Sequence, residues 1–207
     1  MKPEQDKSAE SPADESRAFA AVMGGMAIML AAAFGFSLLF ETPLGLQIRL
    51  DAEGAFIGVA ATLPLVAFLA WFMQSKDPDI AAFRVSQIEF FSQIGFTFTP
   101  SRILLMSLGA GVAEEALFRG VFQTFADRNL PVAAAIVLPN ILFGLLHART
   151  AMYAAISGGV GIYLGVVFWL SGNLLVPMIA HAVYDVVALA VTRRAIDAKA
   201  RAEAPVP

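Results

Sequence analysis

The stretch ILLMSLGAGVAEEALFRGVFQTFA, residues 103–126, decides how the chain is read. It is long and apolar enough to cross a bilayer, yet it carries Glu114, Glu115 and Arg119 near its middle. At about 1.5 Å rise per residue, about 24 residues reach ~36 Å. A lone acid or base at the centre of a membrane helix costs roughly 3 kcal/mol on insertion scales. Three such groups in one span need partners or a task, and the rest of the chain has to supply them.

Working outward, apolar blocks of similar size fall at residues 18–40 and 54–74 before this stretch and at 131–148, 151–170 and 174–192 after it. With 58% hydrophobic and 15% charged residues among 207, this is the pattern of an all-α polytopic membrane helix bundle of about six transmembrane helices. One transmembrane domain, 18–192, is expected between a cytoplasmic tail at 1–17 and a basic cytoplasmic tail at 193–207. The first tail mixes Lys2, Lys7 and Arg17 with five acids and two prolines, too little apolar surface to offset ordering, and reads as disordered. The first apolar block is long and lacks a compact basic start, so it reads as a retained span rather than a cleaved signal.

Between the second and third spans, residues 75–102 mix Phe83, Ile88, Phe90, Phe91 and Ile94 with Arg84, Gln87, Glu89 and Gln93, which predicts an interfacial helix. Gly161 and Gly165 form a GxxxG pair suited to close helix packing. If the amino terminus is cytoplasmic, eleven of the fourteen Lys and Arg lie on the cytoplasmic side and two outside, so both termini are expected there. A net charge of -3 without a basic run excludes a nucleic-acid binder. The absence of cysteine excludes disulfides, zinc-thiolate sites, thiol nucleophiles and S-acylation.

The ionisable residues inside the six spans are few: Glu114, Glu115, Arg119, His147, His181 and Asp185. All fall in the third, fourth and sixth spans, and both histidines of the chain are among them. Glu115 and Arg119, at i and i+4, can pair and offset each other's burial. Glu114 points about 100° away. Phe143 and His147 share one face, as do His181 and Asp185. A carboxylate with two imidazoles and a further acid in a partly dry cavity can activate water, with Glu114 as general base. The same groups could hold a divalent metal such as zinc through Glu114, His147 and His181. No HExxH signature is present, and no serine or threonine stands beside either histidine as a nucleophile.

These residues resemble the CPBP intramembrane proteases, a family that includes the type II CAAX prenyl endopeptidases and bacterial abortive-infection-like proteins. Its pattern is EExxxR, then FxxxH, then HxxxN or HxxxD on successive membrane helices. Here the pattern is Glu114-Glu115-Ala116-Leu117-Phe118-Arg119, Phe143-Gly144-Leu145-Leu146-His147 and His181-Ala182-Val183-Tyr184-Asp185. The approach SGNLLVP at residues 171–177 is also similar, so the resemblance covers a catalytic core at about residues 103–191.

The resemblance implies an intramembrane endopeptidase in a bacterial inner membrane, acting on a peptide or protein substrate that in CAAX-type members is lipidated. Carried over, Glu114 activates water, His147 helps to hold it, and His181 with Asp185 steadies the oxyanion or orients the substrate. Glu115 and Arg119 support Glu114. Asp185 departs from the Asn of CAAX-processing members, and an ionised carboxylate would repel an oxyanion.

The residues alone leave two other readings: a proton relay or cation-coupled transporter built on the same polar groups, and a non-catalytic membrane adaptor. The span boundaries also set a difficulty. They place His147 at the cytoplasmic edge and Glu114 deep in the membrane, roughly 15 Å apart in depth.

Overall fold

A computed structural model describes residues 11–203 of the chain, and every described element is helical. The helices are α1 (Pro12–Leu39), a single turn α2 (Leu44–Gln47), α3 (Ala52–Gln74), α4 (Pro78–Ser92), α5 (Pro100–Glu115), a π-helical segment (Ala116–Gln123), α6 (Thr124–Asp127), α7 (Val132–Leu146), α8 (Ala151–Ser171) and α9 (Leu175–Glu203). Four of them, α1, α3, α8 and α9, are long and apolar enough to cross a membrane.

The other two expected spans take different forms. Residues 103–126 lie in a rod built from α5, the π segment and α6, whereas the fourth span is the short helix α7. Leu38, Leu63, Phe56 and Leu170 lie among many large apolar side chains on the outside, the inverse of a water-soluble protein and the pattern of a bundle solvated by lipid.

The helix starts are written in short-range chemistry. Ser11 and Asp14 form a capping box with Pro12 in the first turn, so α1 begins before residue 18. Part of the expected tail is therefore helical, while residues 1–10 lie outside the described residues. Glu15 then ties this start to the stretch before α5, accepting from Arg102 Nη1 at 2.6 Å and Thr97 Oγ1 at 2.7 Å. Asp51, Asp77, Thr99 and Thr150 cap α3, α4, α5 and α8, with Pro78 and Pro100 in the first turns of α4 and α5. At the other end of the chain α9 continues past residue 192 to Glu203, so the expected second tail is helical over most of its length.

Two close approaches position the site. A Cβ on Gly111 would lie 2.9 Å from Ala182 N and 2.9 Å from Met178 O, so α5 and α9 meet backbone to backbone on either side of His181. A Cβ on Gly161 would lie 2.5 Å from Asn140 Oδ1, so α8 seats against α7 as the GxxxG reading expects. The turn between α8 and α9 is fixed by Gly172 in the left-handed conformation and by Asn173. The Asn173 side chain accepts from Arg49 N and donates to Arg49 O, both at 3.0 Å. The helix expected within residues 75–102 is present as α4. It has no buried residue and packs on α9.

Candidate active site

The π segment opens directly after Glu114 and Glu115. Its hydrogen bonding includes Thr124 N donating to Arg119 O, five residues back, and such single-turn bulges recur at functional sites. The widened turn keeps Arg119 and Glu115 on one inner face, both fully buried. Arg119 Nη1 donates to Glu115 Oε1 at 2.8 Å, and Nη2 donates to Gly161 O at 2.6 Å and Asn140 Oδ1 at 3.0 Å. Its guanidinium also stands 5.3 Å from the centroid of the Phe143 ring. One cation thus locks α5, the π segment, α7 and α8 together.

Glu115 passes that order to the sixth span. The same Oε1 accepts from His181 Nδ1 at 2.7 Å, so the imidazole is held by a carboxylate that Arg119 itself fixes. Glu115 was expected to support Glu114, but its contacts in the structure are with Arg119 and His181. The opposite nitrogen of His181 faces two acids, with Nε2 3.8 Å from Glu114 Oε2 and 3.5 Å from Asp185 Oδ2. Glu114 and Asp185 keep 15% and 25% of their side chains exposed, whereas Glu115 keeps none. The adjacent glutamates are thereby sorted into one that reaches a cavity and one that does not.

That cavity, of about 330 Å³, is lined by Glu114, His147, His181 and Asp185, and otherwise mostly by apolar side chains of α1, α3, α4, α8 and α9. Glu114 and His147 thus face one cavity despite the separation that the span boundaries set. Arg119 and Phe143 set a common level, and consecutive helices joined by a short turn run antiparallel. One turn back from Arg119 and one turn on from Phe143 lead toward the same end of the bundle. The helix α7 stops at Leu146, and His147 follows as its C-cap, half-buried.

His147 closes its helix as the C-cap, with Nδ1 2.8 Å from Phe143 O. A carbonyl can only accept, so Nδ1 carries hydrogen and Nε2 is left as the acceptor of the neutral ring.

The sequence reading passed over Asn140, which is buried and holds Arg119 on one side and Ile136 O at 2.7 Å on the other. An amide inside an apolar span was the available signal, but a roster of ionisable groups omits it. Tyr153 and Tyr184, both on the cavity wall, were also passed over, because the roster kept to carboxylates, histidines and the arginine.

The expected metal set does not fit. Among the described residues no group of three or more His, Cys, Asp or Glu is gathered closely enough to hold an ion, and Glu114, His147 and His181 are no exception.

Compared with known families, residues 96–187 match the model described as type II CAAX prenyl endopeptidase Rce1-like. That range contains all three motifs and omits α1 to α4. No curated protein and no solved structure matches the chain.

Proposed function

From the premise that the chain carries a type II CAAX prenyl endopeptidase Rce1-like domain, we propose that it hydrolyses a peptide bond inside the membrane with water primed by Glu114. The observation that carries this reading is the convergence of Glu114, His147, His181 and Asp185 on one largely apolar cavity. His181 Nε2 stands 3.8 Å from Glu114 Oε2 and 3.5 Å from Asp185 Oδ2, so a water seated beside them in the cavity can contact the nitrogen and an acid together.

Glu114 removes a proton from that water while His147 Nε2 accepts its second hydrogen bond. The resulting hydroxide attacks the scissile carbonyl carbon, and the charge moves to the carbonyl oxygen. Glu114 then returns the proton to the leaving nitrogen as the C–N bond breaks. His181, clamped from behind by Glu115 and Arg119, keeps its geometry through the cycle, which is the preorganisation that charge stabilisation requires.

The apolar lining suits a substrate with a bulky apolar group near the scissile bond. The wall continues along α9 from His181 to Ala195, roughly 21 Å at helical rise. A prenylated carboxyl-terminal peptide meets that requirement, as does a hydrophobic leader or a membrane segment.

The test is product mass analysis after incubating the protein in lipid nanodiscs with farnesylated and unmodified peptides of one sequence. Wild type cleaves and Glu114→Gln loses roughly 10²–10⁴-fold in kcat. Equal cleavage by the Gln variant would end the proposal. Preference for the farnesylated peptide would assign the CAAX class, and indifference would assign the broader one.

A further inference from the structure

The proposed catalytic set is held unevenly. His181 is clamped by the buried Glu115 and Arg119, but His147 caps a helix end and is only half-buried. Apart from the Phe143 carbonyl, its ring has two aromatic neighbours, Phe143 at 4.4 Å and Tyr153 at 5.8 Å, the latter edge-on at 84°. Phe143 belongs to its own helix. Tyr153 belongs to the first turn of α8, whose start is fixed by Thr150 Oγ1 accepting from Tyr153 N at 3.1 Å.

Behind Tyr153 stands α4. Phe83 on that helix touches the Tyr153 ring at 6.2 Å. Arg149, in the turn between His147 and Tyr153, lies 4.8 Å from the Tyr153 centroid and 3.5 Å from that of Phe90 on α4. Its Nη2 also donates to Gln87 Oε1. The guanidinium therefore lies against two rings while it also hydrogen-bonds to α4, a combination suited to arginine and not to lysine.

On its other flank α4 is fastened by Arg84 Nη1, which donates to Phe72 O at 2.7 Å and Ser75 O at 2.9 Å at the end of α3. Phe83 also meets Phe72 edge-on at 5.7 Å and Phe91 meets Phe98 at 5.9 Å, yet α4 has no buried residue, and Phe83, Gln87, Ile88 and Phe91 form part of the cavity wall.

We infer that Tyr153 is a positioning residue for His147, and that through Arg149 it ties the placement of that imidazole to the seating of α4 against the cavity. When α4 is seated, Phe83 and Arg149 hold the Tyr153 edge against His147. When α4 moves, Arg149 loses Gln87 and Phe90, and His147 keeps only the contacts of its own helix end. A wall that a bulky substrate must displace on entry thus reports its return to the site, and His147 regains its catalytic placement only after α4 has closed. This rests on the reading of His147 as a catalytic group.

The chain has only two histidines, which allows a measurement that needs no turnover. Diethyl pyrocarbonate modifies both, and peptide mass mapping gives the rate at each, with the clamped His181 as internal reference. Gln87→Ala and Arg149→Gln are each expected to raise the rate at His147 roughly two- to tenfold, as for loss of one aromatic or cation contact, with His181 unchanged. Tyr153→Ala should do the same and Tyr153→Phe, which keeps the ring, should restore the slow rate. In turnover the same variants should lower kcat with little change in KM.

Gln87 is the deciding position, because it lies on a helix without buried residues, so its truncation leaves the fold intact, and it does not touch His147. A wild-type His147 rate in Gln87→Ala and Arg149→Gln overturns the inference, even if Tyr153→Ala raises it by simple unmasking. Altered labelling in a protein that cleaves no peptide would instead sink the protease reading and leave the coupling standing.

Discussion

At the scale of single residues, the two adjacent glutamates have opposite fates, and their variants should separate stability from activity. Glu115 and Arg119 have no side-chain exposure, and removing either strips the other, fully buried, of its ion-pair partner. Glu115→Ala or Arg119→Ala should therefore cost about 3–5 kcal/mol, read as a lowered thermal unfolding midpoint in fixed detergent. Glu114→Gln should unfold like wild type while losing cleavage, since Glu114 faces the cavity and its uncharged isostere fits the same space. A large loss of stability in Glu114→Gln would contradict the division of labour between the pair.

Asp185 offers a second residue-scale test. Its Oδ2 lies 3.5 Å from His181 Nε2, so Asn can keep the contact while removing a charge that would repel a developing oxyanion. Asp185→Asn is expected to keep or raise kcat, whereas Asp185→Ala should lower it about tenfold or more. A kcat for Asn as low as that for Ala would show that the carboxylate charge itself is needed.

At the scale of elements, the site depends on where α5 and α9 touch and on the π segment that follows. The backbone contact at Gly111 lies one turn from Glu115 and beside His181, so it sets the 2.7 Å hydrogen bond between them. Backbone atoms of α9 cannot swing aside as a flexible side chain can. Gly111→Ala should thus cost about 1–3 kcal/mol through overpacking, and it should reduce kcat more than the loss of folded protein explains. Unfolding midpoints and kcat per folded molecule are the two readouts, and wild-type values for both would show that the helices yield without disturbing the site.

The π segment is supported from outside its own helix. Gln47 Nε2 donates to Gly120 O at 2.9 Å and Gln47 Oε1 accepts from Thr124 Oγ1 at 3.0 Å, so backbone that the bulge leaves less well paired is met by a side chain from a distant turn.

At the scale of the whole molecule, the cavity wall built by α4 and the turn held by Asn129 lie at opposite ends of the bundle. This follows because the rod of residues 100–127 runs between them. With the biased Lys and Arg count, the α4 end is the one expected at the cytoplasm. The chain lacks cysteine, so single cysteines at the exposed positions Glu89 and Asn129 can be read without background. In inverted vesicles an impermeant maleimide should label Glu89→Cys and spare Asn129→Cys, and in right-side-out vesicles the pattern should reverse. Labelling of both from one side would break the two-sided arrangement.

Much of this protein was legible in the sequence because the bilayer imposes length and polarity directly: apolar blocks, and a charge too costly to strand in lipid without a partner. The motif spacing also placed Glu115 with Arg119, and His181 with Asp185, on shared faces, because such pairs lie within one helix. Which acid would meet which histidine was not legible, since His181 reaches Glu115 across 66 positions of chain only after Gly111 lets two backbones close.

The level of His147 was hidden for a similar reason. Hydropathy reads residues 131–148 as a full span, whereas α7 ends at Leu146 and His147, its C-cap, meets Phe143 and Tyr153 on the wall of the cavity. The composition thus determined a membrane bundle with a polar interior. Only the tertiary contacts between helices decided which of those polar groups became buried scaffold and which face the cavity.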